Sequence, residues 1–99
     1  QAVYHRGRTW SNSLLVMKAM PNGLDLNRYG FSAGRRLGGA VVRNRVKRLV
    51  RERVRLTPIE PGWDIVFIAR GIADYHPFKG AIEDLLSRAR LLKGGRAER

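Results

Sequence analysis

The 99-residue sequence contains no cysteine, which excludes disulfide bonds and thiolate metal sites. It has no apolar run near the roughly 18–20 residues that a transmembrane helix needs, and no signal-peptide pattern. Its two histidines, His5 and His76, lie far apart, and it carries no zinc-protease motif, nucleophile elbow or P-loop. We therefore assign no catalytic and no metal-binding residue. A cytoplasmic binding protein without a membrane role is expected.

Acidic residues are also scarce, since 8 Asp and Glu stand against 20 Lys and Arg, for a net charge of +12. This imbalance implies a polyanionic partner, either RNA, DNA or an anionic membrane surface. The hydrophobic share of 43% is sufficient for a modest core, so the length indicates one domain over residues 1–99. The chain begins at Gln1 without Met. Residues 1–6 are predicted to be the end of a helix closed by Gly7, so we expect the start of that first helix to be missing.

The most informative segment is basic and amphipathic. Val42, Val46, Leu49 and Val50 have the spacing of one helix face, which predicts a helix from about residue 41 to 56. The opposite side is predicted to carry Arg43, Asn44, Lys47, Arg48, Arg51 and Arg55, with Arg45 flanking the apolar arc. Arg53 falls inside that arc, and we expect it to be partly exposed. Seven cations between residues 43 and 55 face only Glu52, which favours a nucleic-acid surface over an ordinary solvated face.

The remaining segments predict a small sheet. Two strands are expected at residues 14–20 and 28–33, paired as a hairpin or meander, with 8–12 as a polar connection and 24–27 ambiguous. Residues 63–69 have an unbroken apolar centre, which predicts a central strand with both faces covered. A second amphipathic helix is expected to follow from about Pro77. The predicted fold is an α+β or α/β sandwich in which the basic helix crosses over the sheet.

At Ala40-Val41-Val42-Arg43-Asn44-Arg45-Val46-Lys47-Arg48-Leu49-Val50-Arg51-Glu52 the sequence resembles the signature of the protein subunit of bacterial ribonuclease P. Flanking segments support the resemblance, namely Gly30-Phe31-Ser32 with Arg35-Arg36-Leu37-Gly38 before it and Trp63-Asp64-Ile65-Val66-Phe67-Ile68-Ala69-Arg70 after it. The resemblance implies a single-domain sandwich of order α-β-β-β-α-β-α, with about four strands and a left-handed crossover through the basic helix.

The resemblance also implies a function. The family's protein assists a large catalytic RNA that, with magnesium held mainly by the RNA, cleaves the 5′ leader from precursor tRNA. Catalysis is expected in the RNA, the expected partners are that RNA and precursor tRNA, and no obligate protein partner is expected. The residues that match the RNA-docking motif are Arg35, Arg36, Arg43, Asn44, Arg45, Lys47, Arg48 and Arg51.

In the family a second surface, between the first helix and one sheet face, takes the single-stranded leader. Tyr4 matches an aromatic position there, where a ring can stack on an unpaired base. Lys18 is expected on the same face by the two-residue period of a strand, with Asn12 and Val16 as weaker candidates. Two alternatives remain open, namely a general RNA-binding or ribosome-associated protein and a membrane-surface protein that uses the basic helix.

Overall fold

The computed structural model describes residues 7–73 and 75–93. Its elements are β1 (Arg8–Ser11), β2 (Leu15–Pro21), β3 (Arg28–Ala33), α1 (Ala40–Arg55), β4 (Trp63–Ala69) and α2 (Tyr75–Arg88), with a 3-10 turn at Arg35–Leu37 before α1. The predicted end of a first helix, residues 1–6, lies outside the described residues. Across the rest, the order of strands and helices confirms the predicted α+β sandwich.

The four strands form one sheet in the order β1-β2-β4-β3. β2 pairs antiparallel with both β1 and β4, whereas β3 and β4 are parallel. Parallel neighbours cannot be joined by a tight turn, and α1 provides the crossover between them. The predicted pairing of β3 with β2 was wrong, because β4 lies between them. The central position predicted for β4 is confirmed, since its apolar residues serve both faces of the sheet.

The edge strand β1 was predicted as a polar connection, and that prediction was wrong. Arg8–Ser11 pairs in register with β2, and Trp10 lies opposite Met17 and packs against the core. In a strand of four residues with one large apolar side chain, the alternation is too short to distinguish a strand from a loop.

Both described helices pack on one face of the sheet. The strands contribute the buried residues Leu15, Met17, Ala19, Ile65, Phe67 and Ala69 to this core, and the helices contribute Val46, Val50, Val54, Phe78, Ile82, Leu85 and Leu86. By alternation, the opposite face carries the half-buried side chains of Val16, Lys18, Met20, Val66 and Ile68. We call this opposite side of the sheet the outer face.

The buried stripe of α1 differs from the predicted apolar arc. It consists of Val46, Val50 and Val54, whereas Val42 is 37% exposed and Leu49 is half-buried. A stripe at i, i+4, i+8 fits residues 42, 46 and 50 as well as residues 46, 50 and 54. The sequence spacing alone cannot choose between the two sets. In the structure, α1 packs on the sheet through Val46, Val50 and Val54, and its first turn projects from the core.

Candidate nucleic-acid interface

The cationic side of α1 carries most of the basic residues of this helix on the surface. Asn44, Arg45, Arg48, Arg51 and Arg55 are exposed, and Lys47 is half-buried. Glu52 pairs with Arg55, with 2.8 Å between Oε1 and Nη2, and so offsets one of these charges. The basic residues of the last turn also face the negative end of the helix dipole. The surface therefore keeps a strong excess of positive charge along its length.

Arg43 does not lie on the opposite side of α1 as predicted. It is half-buried, and its Nε is buried without a hydrogen-bond partner in the described part of the protein. The reason is the shift of the buried stripe, because Arg43 lies one turn before Val46 and about two turns before Val50. Arg43 therefore lies on the core-facing side of α1 and is less accessible than the exposed cations of the helix.

Arg53 is the second cation on the sheet side of α1. Its side chain is 15% exposed, and its Nη2 lies 3.8 Å from Glu83 Oε2 on α2. This agrees with the expectation of partial exposure. The hydroxyl of Thr57 donates to the Arg53 carbonyl at 2.7 Å, which satisfies one of the free carbonyls at the end of α1. Arg53 thus contributes to the contact between the two helices.

A concave basic site lies where the parallel strands end. It has a volume of about 420 Å³ and is lined by Gly34, Arg35, Arg36, Leu37, Ala69 and Arg70. β3 ends at Ala33 and β4 at Ala69, so the carboxyl ends of both strands meet at this edge, where open α/β sheets place their ligands. Arg35 and Arg36 were predicted from the sequence, but Arg70 was not. The sequence feature that could have identified Arg70 is its position as a basic residue directly after the last residue of β4.

The outer face brings together two of the four residues predicted to bind the leader. Val16 and Lys18 are neighbours on β2, as the two-residue period required. Across the strands, Lys18 lies between Thr9 and Val66, so it is surrounded by small or apolar neighbours. Tyr4 lies outside the described residues. The binding roles of Val16 and Lys18 stay predictions.

Asn12 is placed differently from the prediction. Its Oδ1 accepts hydrogen bonds from the backbone N–H groups of Leu14 and Leu15, at 3.1 and 3.0 Å. Its Nδ2 donates to the carbonyl of Ala81 and to Asp84 Oδ2, both at 3.0 Å on α2. Because α2 packs on the core face, Asn12 does not share the outer face with Val16 and Lys18. It closes the β1–β2 turn and ties that turn to α2.

An ion pair lies at the other end of the β3–β4 pair, where both strands begin. Arg28 Nε and Nη2 each lie 2.8 Å from an oxygen of Asp64, and Asn22 donates to the same carboxylate at 3.1 Å. The hydrogen bond from Arg28, followed by that from Asn22, lowers the pKa of Asp64. The same bond raises the pKa of Arg28. The pair joins the first residue of β3 to the second residue of β4 and lies at the end of the strands opposite the basic concavity.

Among residues 7–73 and 75–93, no group of three or more His, Asp or Glu side chains could hold a metal ion. No helix in that part of the chain is long and apolar enough to cross a membrane. The described residues form cationic and apolar contact surfaces around a small sheet.

The fold and this surface define a class, a small single-domain α+β protein with a four-stranded sheet and a cationic crossover helix. Two of the solved structures with a similar fold are RNase P proteins. The RNase P protein from Thermotoga maritima superimposes with a TM-score of 0.79 at 32% identity, over 87% of this chain and 86% of that one. The RNase P protein of Staphylococcus aureus gives 0.80 at 30% identity, over 93% and 89%.

Sequence comparison identifies the family. The family model for Ribonuclease P matches residues 1–90. The Ribonuclease P protein component of Caldanaerobacter subterraneus is 48% identical over 94 residues, which covers 90% of this chain and 81% of that protein. The corresponding protein of Roseiflexus castenholzii is 45% identical, over 99% and 85%. The chain belongs to the ribonuclease P protein family.

Proposed function

We propose that this chain is the protein subunit of the cytoplasmic ribonucleoprotein that removes the 5′ leader from precursor tRNA. The family works with an RNA subunit, and the observation that carries the proposal is the exposed cationic side of α1 on a domain of this family. Guanidinium and ammonium groups in a row bind successive phosphates of an RNA backbone. The net charge of +12 favours rapid association with such a polyanion.

Two surfaces have different roles in this proposal. The exposed cations of α1, with Arg35 and Arg36 on the preceding turn, dock the catalytic RNA. Arg70 extends this set, because it lines the same concavity as Arg35 and Arg36 and could neutralise a phosphate there together with them. The outer face takes the single-stranded leader, where Val16 offers apolar contact and Lys18 a cation for the leader backbone.

Cleavage itself is proposed to occur in the RNA. Magnesium belongs to the RNA in this proposal, as the family resemblance implies. The decisive assay compares cleavage of precursor tRNA by the protein alone, by the RNA with magnesium, and by the two together. We expect cleavage only where the RNA is present, with stimulation by the protein. Cleavage by the protein alone would refute this division of roles.

A matched pair of substitutions tests the docking role of α1. Arg48 is exposed on the cationic side, whereas Lys93 is exposed after α2. Arg48→Gln and Lys93→Gln each remove one positive charge, so a general electrostatic effect should weaken RNA binding equally in both. We expect a larger loss with Arg48→Gln, and a decrease of about 0.7–0.9 in the slope of log affinity against log salt. Equal losses would place the docking surface elsewhere.

A general RNA-binding role is the alternative, and the same cationic helix would serve it. Competition distinguishes the two. The proposed subunit should prefer its folded catalytic RNA to duplex DNA and to unrelated RNA of the same length at physiological salt. Equal affinity for all three would favour the general role. If about six phosphates are engaged, the salt slope should lie at roughly −4 to −5 in either case.

A further inference from the structure

Three aromatic rings, one on β4 and two on β3, form a row from the core to the surface on the side of the sheet that faces the helices. Phe67 is 1% exposed and stacks on Phe31, with ring centroids 6.0 Å apart and planes 11° apart. Tyr29 continues the row at 6.3 Å from Phe31 and is 40% exposed. Because β3 is an edge strand, the row ends at the free edge of the sheet with an aromatic ring in contact with solvent.

The ring of Tyr29 is held in place before any ligand arrives. Asn27 Nδ2 donates to the Tyr29 hydroxyl at 3.1 Å and to the Glu60 carbonyl at 2.9 Å. Asn27 itself is held, because its Oδ1 accepts from the Trp63 backbone N–H at 2.7 Å. A ring oriented in this way loses little conformational entropy when a second planar group stacks on it.

Cations border the aromatic row. The guanidinium carbon of Arg51 lies 5.6 Å from the centroid of Phe31, within the range of a cation–π contact. As the crossover between parallel strands, α1 runs back along β3, and one helical turn of about 5.4 Å nearly matches two strand residues of about 6.6 Å. By this spacing Arg55, one turn after Arg51 and also exposed, is expected level with Tyr29, two residues before Phe31. Glu52 offsets part of the charge of Arg55.

An aromatic face beside guanidinium groups is the combination that binds an unpaired nucleotide, because the base stacks on the ring and the phosphate meets the cation. We propose that Tyr29, together with Arg51 and Arg55, is a stacking site for an unpaired nucleobase of RNA. The inference rests on the proposed function for its RNA partner. The site lies across the sheet from Val16 and Lys18, so it is distinct from the proposed leader surface and extends the cationic side of α1 onto β3.

Affinity measurements with two variants test this site. Tyr29→Phe keeps the aromatic face, whereas Tyr29→Leu keeps apolar cover over Phe31 but removes the ring. Stacking contributes about 1–3 kcal/mol per base, so Tyr29→Leu should weaken RNA binding about fivefold or more. Tyr29→Phe should bind within about twofold of the unchanged chain. Melting temperatures of both variants show whether a loss reflects the site or the fold.

Photocrosslinking of the unchanged chain identifies the source of the base. The complex is assembled once with catalytic RNA in which 5-bromouridine replaces uridine, and once with precursor tRNA labelled in the same way. A crosslink at Tyr29 in one arm assigns the base to that RNA, and the affinity for that RNA is the one that Tyr29→Leu should lower. The proposal is overturned if Tyr29→Leu binds both RNAs as tightly as the unchanged chain.

The unchanged complex is also assayed for cleavage of precursor tRNA. Cleavage that depends on the catalytic RNA, combined with normal RNA binding by Tyr29→Leu, would reject the stacking site while leaving the proposed function intact. Failure of the unchanged chain to bind the catalytic RNA or to stimulate cleavage would instead reject the proposed function.

Discussion

Replacement of Asn12 by alanine should destabilise the fold without selectively impairing recognition of the leader. The substitution removes four hydrogen bonds, two to the β1–β2 turn and two to α2. The bond to Asp84 is exposed and contributes little. The other three are partly buried, and at about 1 kcal/mol each the free energy of unfolding should fall by about 2–3 kcal/mol. For a domain of this size that corresponds to a decrease in Tm of roughly 10–20 °C.

The assay is chemical denaturation of the chain, combined with binding of precursor and mature tRNA by the assembled complex at a temperature where the variant is folded. Asn12→Asp is the informative second variant. It keeps the acceptor for the turn but loses the donor to Ala81 and places a second carboxylate beside Asp84, so it should also be destabilised. Lys18→Gln is the functional contrast, with near-normal stability and weaker binding of precursor than of mature tRNA. If Asn12→Ala changes the unfolding free energy by less than about 0.5 kcal/mol, or selectively impairs precursor binding in a stable protein, our placement of Asn12 is wrong.

Three further perturbations test the fold around the site. Val54→Ala removes two buried methyl groups from α1 and should lower the unfolding free energy by about 1–3 kcal/mol in urea denaturation; a neutral result would mean that the buried stripe is wrongly placed. Arg28→Gln should raise the pKa of Asp64, measured by NMR titration. Because the folded-state pKa of Asp64 is lowered, the stability from this pair is present above the usual pKa of about 4 and is lost as the pH falls through the lowered value. The unfolding free energies of the variant and the unchanged chain should therefore differ at pH 7 and converge at low pH. Gly38→Ala should lower the free energy of unfolding by about 1–3 kcal/mol, because Gly38 has φ +135°. Gly34 has an extended backbone and open space around it, so Gly34→Ala should leave the thermal melting nearly unchanged.

The regular elements with long or distinctive patterns were predictable. The spacing of apolar residues located both helices, and the apolar run of β4 predicted its central position. Residues 28–33 were predicted as a strand with the observed bounds. The short strand β1 was missed, since four residues carry too little alternation for a prediction. The pairing of β3 was also mispredicted, because local sequence does not state which strand lies beside which.

The candidate site was predictable in composition but not in orientation. The cations of α1 could be found from charge and spacing, and the family resemblance assigned them to RNA docking. The helix wheel could not place Arg43, because its position depends on which of two overlapping valine stripes is buried. Arg70 went unnoticed since its connection with Arg35 and Arg36 arises only when β3 and β4 align in parallel. The direction of Asn12 likewise depends on contacts with α2, about 70 residues later in the chain.

The sequence by itself determined the excess of positive charge, the amphipathic basic helix and the family, since all three are properties of residue types and their spacing. Only the tertiary structure decided which side of that helix is buried, which residues share the outer face, and where aromatic rings meet cations. The physical reason is that burial and contact are set by packing between distant segments. The docking of α1 on the sheet buries Val54, exposes Val42 and brings Arg51 over Phe31, although the pattern of residues within α1 permits either stripe to be buried.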